Sequence, residues 1–308
     1  MPIRYSIIIP HKNIPNLLQR CLDSIPARKD IQTIVIDDNS SPSIVDFSHF
    51  PHSNNYTLET VFTTEGRGAG FARNIGLKHA KGDWLVFADA DDFFTDDFSS
   101  ILDEMVDAKE DLIFFASKSV LSDDPTVPAV RTKYLNEYIS AFLNGEQESE
   151  ANLRCRCPIP TCKIIRRSIV EKNNISFSET MWSNDVFFSA QVSCFADSIR
   201  VTDKVGYVFT VRTGSLVFDF CGSRKEVLDR IQETLKSERL YARHRIPQPQ
   251  KLSDSYLQIT YHKHGFWWCL LTDISYLFHY QEFKAMSVFL LNKVLKHFIH
   301  SYGRKQPS

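Results

Sequence analysis

Long apolar runs are missing from this sequence. No window reaches the roughly 18 uncharged apolar residues of a membrane-spanning helix. The N-terminal stretch MPIRYSIIIPHKN has only three consecutive isoleucines, with no small-residue cleavage site after them. Neither a spanning segment nor a secretion signal is therefore expected. The expected location is the cytoplasm, with any membrane contact peripheral and on the inner face. A charge of one sign is missing as well: 36 Lys and Arg stand against 37 Asp and Glu, so nucleic acid is not an expected partner. Glycine is scarce, 11 residues against 23 phenylalanines, which points to an aromatic-rich core. The seven cysteines are an odd number on a long chain and suit reduced thiols better than a disulfide framework. Three of them crowd into CRCPIPTC (Cys155, Cys157, Cys162). A structural zinc site wants two pairs of ligands and no second pair lies nearby, so no metal is assigned there.

What is present is an alternation of strand and helix signals through the first half of the 308 residues. YSIIIP (residues 5–10) and IQTIVIDD (31–38) are short apolar runs suited to strands buried on both faces. Between them Leu17, Leu18, Cys21, Leu22 and Ile25 fall at helical spacing. TLETVFT is a third strand, GAGFARNIGLKHAKG a helix closed by Gly82, and DWLVFADAD the next strand. This β-α-β-α-β order predicts an open, largely parallel sheet with helices on both faces. Ligands of such sheets bind beyond the carboxyl ends of the strands. There the sequence gathers Pro10, His11, Lys12 and Asn13, then Asp37, Asp38 and Asn39, then Asp89, Ala90, Asp91 and Asp92. Farther on, 122–130 reads as a loop or sheet excursion and 144–152 as a polar, mobile segment. Helices follow around RRSIVEKNN and NDVFFSAQVSCFA.

The acids admit two readings. Asp89 and Asp91, two apart where a strand leaves the pleat, suit a hard divalent cation that shares its coordination with phosphates. Alternatively Asp91 or Asp92 caps the next helix. Phe93 and Phe94 exclude a calcium loop of the helix–loop–helix type, because acidic residues or glycine are required there. Asp37 and Asp38 can bind a ribose or a base, or simply form an Asx turn. Arg73, opening a helix after GRGAG, can bind phosphate or a base edge. GRGAG can also be only a flexible turn, and Asp185 only a helix-start carboxylate.

In this order, IIIPHKN, IVIDDNSSP, GAGFARNIGLKHAKGDWLVFADADDFF, CKIIRRSIVEKNNISFSE, SNDVFF and YVFTVRTGSL resemble the inverting nucleotide-sugar glycosyltransferases of family 2, across about residues 3–215. The resemblance implies a GT-A fold: an α/β, Rossmann-like, mixed but mostly parallel sheet flanked by helices, here with a C-terminal helical extension. Residues 1–222 would be the catalytic domain, with 1–120 as the nucleotide-sugar half and 121–222 as the acceptor and base half. Residues 223–308 would be helical. The implied donor is a nucleotide-sugar, most often a UDP-sugar. Pro10, His11 and Asn13 would line the nucleoside pocket. Asp38, with Asp37 nearby, would contact base or ribose, and Arg73 would lie against the nucleotide. Asp91 would be the main ligand of Mn²⁺ or Mg²⁺, with Asp89 on the same metal or the ribose and Ala90 between them. Arg212, Thr213 and Ser215 would close over the diphosphate.

The implied catalytic base is Asp185, deprotonating a hydroxyl of a saccharide or lipid-linked saccharide in surface polysaccharide, capsule or lipopolysaccharide synthesis. The family pattern has Glu before that Asp; this chain has Asn184. Lys163 and Arg166 are candidate substrate contacts, Arg166 with Arg167 more readily reading as a solvated basic face, and Trp182 is either a sugar platform or a core or lid aromatic. After residue 223 the sequence turns to amphipathic helices. The last places Leu290, Leu291, Val294, Leu295, Phe298 and Tyr302 on one face. That region is expected to pack on the catalytic domain, form a homodimer or dock on an anionic inner membrane. A lone His there (His262, His264, His279) is more often structural than a metal ligand. Two other classes stand beside the leading one: a catalytically degenerate binding or scaffold subunit, and a nucleotidyltransferase. The second wants a glycine-rich basic signature after the first strand, which PHKNIP lacks.

Overall fold

The computed structural model describes residues 2–53, 57–131, 133–212 and 223–248. The chain divides into two compact units, Met1–Phe220 with Glu233–Gln250, and Cys221–Gln232 with Lys251–Ser308. The first unit carries one sheet whose eight described strands run in the order β3-β2-β1-β4-β7-β6-β8-β5.

The two apolar runs read from the sequence form its centre. β1 (Tyr5–His11) pairs in parallel with β2 (Ile31–Asp37) on one side and β4 (Trp84–Phe87) on the other. Ile7, Ile8, Ile9, Ile34, Val35, Ile36, Leu85, Val86 and Phe87 are all fully buried, as strands covered on both faces require. β3 (Leu58–Phe62) extends the sheet beyond β2. Connections thus leave β1 in one direction and return to β4 on its other side. This makes a topological switch point, where a crevice opens beyond the strands' carboxyl ends. Beyond β4 the sheet turns mixed. β7 (Lys163–Arg166) is antiparallel to both β4 and β6 (Leu112–Leu121), and β8 (Ile199–Val211) runs parallel to β6. The short β5 (Phe93–Phe94) closes the far edge.

The helices cover both faces. α1 (Pro15–Asp23) starts on a proline at a position where a helix needs no N–H, and buries Leu18, Cys21 and Leu22. α2 (Ala69–His79) buries Gly70, Ala72, Arg73 and Gly76, and a Cβ at Gly76 would collide with Ile8. The phenylalanines form the expected aromatic core: Phe177 and Phe188 stack at 3.8 Å, and Phe87 meets both edge-on at 5.1 and 5.3 Å. Each such burial is worth about 1.5–3 kcal/mol.

Several boundaries depart from the sequence reading. β4 stops at Phe87, before the acids, and α2 ends at His79 rather than at Gly82. Residues 144–152, read as a mobile segment, lead into α5 (Ser149–Arg156), whose Arg154 donates to the Ser193 and Ala196 carbonyls. Long-range anchoring of that kind is invisible in local polarity. Residues 122–130 fold back on β6 through a bridge between Val120 and Pro128. α3 (Asp97–Glu104), α4 (Lys133–Leu143), α6 (Arg167–Lys172), α7 (Val186–Phe195) and α8 (Arg224–Arg243) complete the described helices. Ser215, Thr213, the three C-terminal histidines and the final amphipathic helix lie outside the described residues. No helix among the described residues is long and apolar enough to cross a membrane.

Candidate active site

At the carboxyl ends of β1 and β2 the polar residues bind one another. His11 is buried, its Nδ1 lies 2.8 Å from an Asp37 oxygen, and its Nε2 accepts the Ile14 N–H at 3.2 Å. That donor puts the ring proton on Nδ1, pointing at Asp37. Ser40 donates to Asp37 through both its N–H (2.8 Å) and its hydroxyl (2.6 Å). Burial alone would raise the Asp37 carboxyl, but the bonds from His11 and Ser40 outweigh it and hold it below the usual range. Asn13, in the left-handed region at φ 57°, ties the two strand ends together. Its N–H reaches the Ser40 hydroxyl and its side-chain oxygen accepts the Ser41 N–H, both at 2.8 Å. Pro10 is half-buried beside this turn.

Asp38 is 3% exposed and is capped by the glycine-rich loop. Its two oxygens accept the N–H groups of Arg67 (3.0 Å) and Gly68 (2.8 Å), with the Lys12 ammonium at 3.5 Å. Gly68 sits at φ +95°, a conformation L side chains rarely adopt. GRGAG therefore acts in this structure as a carboxylate nest and not merely as a loose turn.

After β4 the acids divide. Asp92 turns inward: it is 1% exposed and accepts the Thr210 N–H at 2.7 Å and the Tyr207 hydroxyl at 3.1 Å. Burial, with Asp89 and Asp91 adding to it, pushes its carboxyl well above the usual range. The Tyr207 oxygen also accepts the Asp89 N–H at 2.9 Å, so one phenol pins both ends of the turn. The Asp91 carbonyl accepts from Arg20 (2.7 Å) and the Thr210 hydroxyl (2.7 Å), and Ala90 is buried between. The side chains of Asp89 and Asp91 turn outward, about a third and a fifth exposed. Arg73 bonds the first at 2.6 Å and Arg212 the second at 3.1 Å. Neither Asp91 nor Asp92 caps a helix, since α3 begins at Asp97 with Asp96 as its cap residue, so the capping alternative is overturned.

The fourth acid reaches the site from far along the chain. Asp185 precedes α7 but makes no side-chain capping bond to it. Burial raises its carboxyl, while Arg73 and, more weakly, Lys163 draw it down. Arg73 is 5% exposed and spans the gap, one terminal nitrogen on Asp89 and the other on the Asn184 side-chain oxygen at 2.9 Å. Its Nε has no partner among the described residues. Trp182 is half-buried, its carbonyl taking the Thr180 hydroxyl.

Lys163 does not fit the substrate-contact expectation. It is 1% exposed, donates to the Cys157 carbonyl at 2.7 Å, and burial lowers its ammonium to about 8. Arg166 is likewise engaged elsewhere, on Asp111 at 3.1 Å and over the Trp84 ring at 4.3 Å. Sequence reasoning missed Arg20, Tyr207 and Thr210. The one usable signal was Tyr207 inside a buried strand, since a buried phenol demands a partner. Cys155, Cys157 and Cys162 are free, buried thiols.

The profile of glycosyl transferase family 2 matches residues 6–173, more than half the chain. The chain belongs to this family. Its relatives include the putative glycosyltransferase EpsH of Bacillus subtilis, 22% identical over 69% of this chain and 62% of that protein. The poly(ribitol-phosphate) beta-N-acetylglucosaminyltransferase TarS of Staphylococcus aureus is 25% identical over 69% of this chain and 36% of that protein. The chain thus spans less than two thirds of either relative. Among solved structures it resembles S. aureus TarS 1-349 in complex with UDP-GlcNAc (TM-score 0.57, 20% identity, covering 84% of this chain and 71% of that one). It also resembles the mannosyltransferase PcManGT from Pyrobaculum calidifontis in complex with GDP-Man and Mn²⁺ (TM-score 0.51, 18% identity, covering 96% of this chain and 82% of that one). These likenesses agree with the GT-A family 2 fold implied by the sequence motifs.

Proposed function

We propose that this family 2 chain is a metal-dependent inverting glycosyltransferase. It would move a sugar from a nucleotide-sugar, read as a UDP-sugar, to a hydroxyl of a saccharide or lipid-linked saccharide in surface-polymer synthesis. The observation that best supports it is the span of Arg73. One of the two outward carboxylates at the sheet's switch point, Asp89, is joined through the Arg73 guanidinium to the loop that carries the partly buried carboxylate of Asp185, while the other, Asp91, pairs with Arg212. The names of the relatives agree with this reading: TarS is crystallised with UDP-GlcNAc and acts on poly(ribitol-phosphate).

The residues fit a hard divalent ion. Asp89 and Asp91 offer carboxylate oxygens that no backbone N–H among the described residues caps, each already facing a cationic side chain. No group of three or more His, Cys, Asp or Glu suited to a metal gathers among the described residues. An ion held by Asp91 and Asp89 alone would take its remaining ligands from diphosphate oxygens and water, which is the habit of Mg²⁺ and Mn²⁺. When bound it supplies positive charge to the departing nucleoside diphosphate.

The chain's own residues do the rest. Asp185 accepts the proton of the acceptor hydroxyl. That oxygen bonds to the anomeric carbon on the face opposite the diphosphate, and the carbon–oxygen bond to the β-phosphate breaks, so the configuration inverts. Burial makes Asp185 a stronger base than an exposed carboxylate, provided it stays ionised. Arg212 faces the negative charge that grows on the diphosphate, with Ser215 proposed beside it. Asp38 and the Asn13–Pro10 turn shape the nucleoside end. His11 and Asp37 use their polar atoms on each other, His11 also on the Ile14 N–H and Asp37 on Ser40, so in this proposal they hold that turn rather than touch the donor.

The test is a thermal-shift panel of UDP-, GDP-, CMP- and dTDP-sugars with Mn²⁺, followed by nucleoside diphosphate release. A donor at 100 times its dissociation constant stabilises by about 2.7 kcal/mol. No metal-dependent shift with any donor would return the chain to the scaffold reading.

A further inference from the structure

Asn184 stands beside the proposed base, where the family pattern has a glutamate. Its surroundings are tight. Its backbone carbonyl accepts the Ser178 N–H at 3.1 Å, closing the loop that leads into α7. Its side-chain oxygen accepts Arg73 Nη1 at 2.9 Å. Gly70, one turn before Arg73, lets α2 lie directly on this loop, because a Cβ there would meet both the Ser178 carbonyl and Asn184. Asn74 grips Phe177 from both sides, accepting its N–H at 2.8 Å and donating to its carbonyl at 3.0 Å. The face of α2 carrying Gly70, Arg73 and Asn74 thus clamps the base loop. Arg73, almost wholly buried, has one carboxylate partner in Asp89 and one neutral partner in Asn184.

We infer that Asn184 is a positioning residue for Asp185. Its neutral amide fixes Arg73 in place without cancelling the guanidinium charge, which is left facing Asp89 and Asp185. The inference rests on the reading of Asp185 as the base. The charged groups that act on Asp185 come from three elements, Arg73 on α2, Asp89 after β4 and Lys163 on β7, and Asp185 in turn acts on the Tyr134 phenol on α4. Burial opposes ionisation of Asp185, Asp89 adds to that opposition, and Arg73 is the largest influence in its favour, ahead of Lys163. A carboxylate at position 184 would engage Arg73 and add a like charge next to Asp185, and both effects favour the protonated acid. A protonated carboxyl cannot accept the acceptor's proton. An amide gives the same hydrogen bond without adding that charge.

The test uses the full chain and the isosteric change Asn184→Asp, with Asn184→Ala as its counterpart. Carbon-13 NMR follows the side-chain carboxyls through a pH titration, and the Asp185 signal is assigned by its loss in Asp185→Asn. Asn184→Asp is expected to move the Asp185 midpoint upward by about half a pH unit or more, equivalent to roughly threefold less ionised base at a fixed pH on that limb. Asn184→Ala, which removes the bond that holds Arg73 but adds no charge, is expected to bring a smaller rise than Asn184→Asp. An unmoved midpoint in Asn184→Asp, or an equal rise in Asn184→Ala, overturns the inference. If Asn184→Asp does not fold, Arg73→Gln replaces it: removing the guanidinium must raise the midpoint, and an unmoved one overturns the inference equally. The parent reading is checked apart from this, by UDP release from UDP-GlcNAc with Mn²⁺. Near-normal release in Asp185→Asn would remove the base assignment whatever the titration shows.

Discussion

The two sides of the candidate site are built by opposite means. On the donor side the acids are satisfied by near neighbours in sequence or across one strand pair. Asp37 takes Ser40, three residues on, and His11 from the adjacent strand, while Asp38 takes the loop N–H groups of Arg67 and Gly68. On the base side nearly every holding contact spans more than a hundred residues: Arg73 to Asn184, Asp89 to Tyr207, Asp92 to Thr210 and Asp91 to Arg212. The donor side is closed by contacts no more than 30 residues apart in the chain. The base side exists only once β8 and α7 have docked, so its geometry and the stability of the fold are bound together.

That difference can be broken experimentally, beginning with the chemistry itself. Asp185→Asn should lower kcat by about 10²–10⁴-fold with an unchanged melting temperature. Asp91→Ala should cost roughly 10³-fold in nucleoside diphosphate release and remove the metal-dependent thermal shift. If Asp91→Ala left that shift intact, the outward carboxylate would not be the metal's seat.

Next in size is the long-range support. Tyr207→Phe leaves the Asp89 N–H and the Asp92 carboxyl each short of a partner and should destabilise by about 1–3 kcal/mol, read by urea unfolding. An effect below that would mean the acid turn stands without β8.

Lys163 offers a pH test. Its folded-state value of about 8 lies below its ordinary 10.5, so the unfolded chain binds more protons between those values. Stability should therefore rise as pH climbs from about 8 to 10.5, and Lys163→Met should flatten that rise. An alkaline limb identical in the variant would show that the ammonium is not held in the folded state as its burial requires. The smallest effect is expected away from both sides. Lys133→Ala, losing an exposed pair with Glu137, should change stability by less than about 0.5 kcal/mol and leave transfer unaltered.

The legibility of the site follows the same division. IIIPHKN, IVIDD and LVFADADD are apolar runs that end in polar residues, and a strand buried on both faces must stop where polar residues begin. The sheet's centre and the donor-side acids could therefore be read directly. The division of labour among Asp89, Asp91 and Asp92 could not, because it depends on Tyr207 and Thr210 from a strand more than a hundred residues away. His11 and Asp37 looked like donor contacts because strand-end polar residues usually point outward; here they face each other under the turn. Lys163 read as a candidate substrate contact because a lysine ammonium usually reaches solvent, and only the pairing of β7 between β4 and β6 buries it.

By itself the sequence determined the family, the parallel centre of the sheet and the set of acids that carry the proposed chemistry. These depend on hydrophobic runs, turn residues and motif order, all short-range properties of the chain. Tertiary structure alone decided which acids face outward, which is sacrificed to the interior, and how Arg73 joins Asp89 to the loop of Asp185. Those outcomes depend on desolvation and on partners brought in from distant strands, which no local pattern encodes.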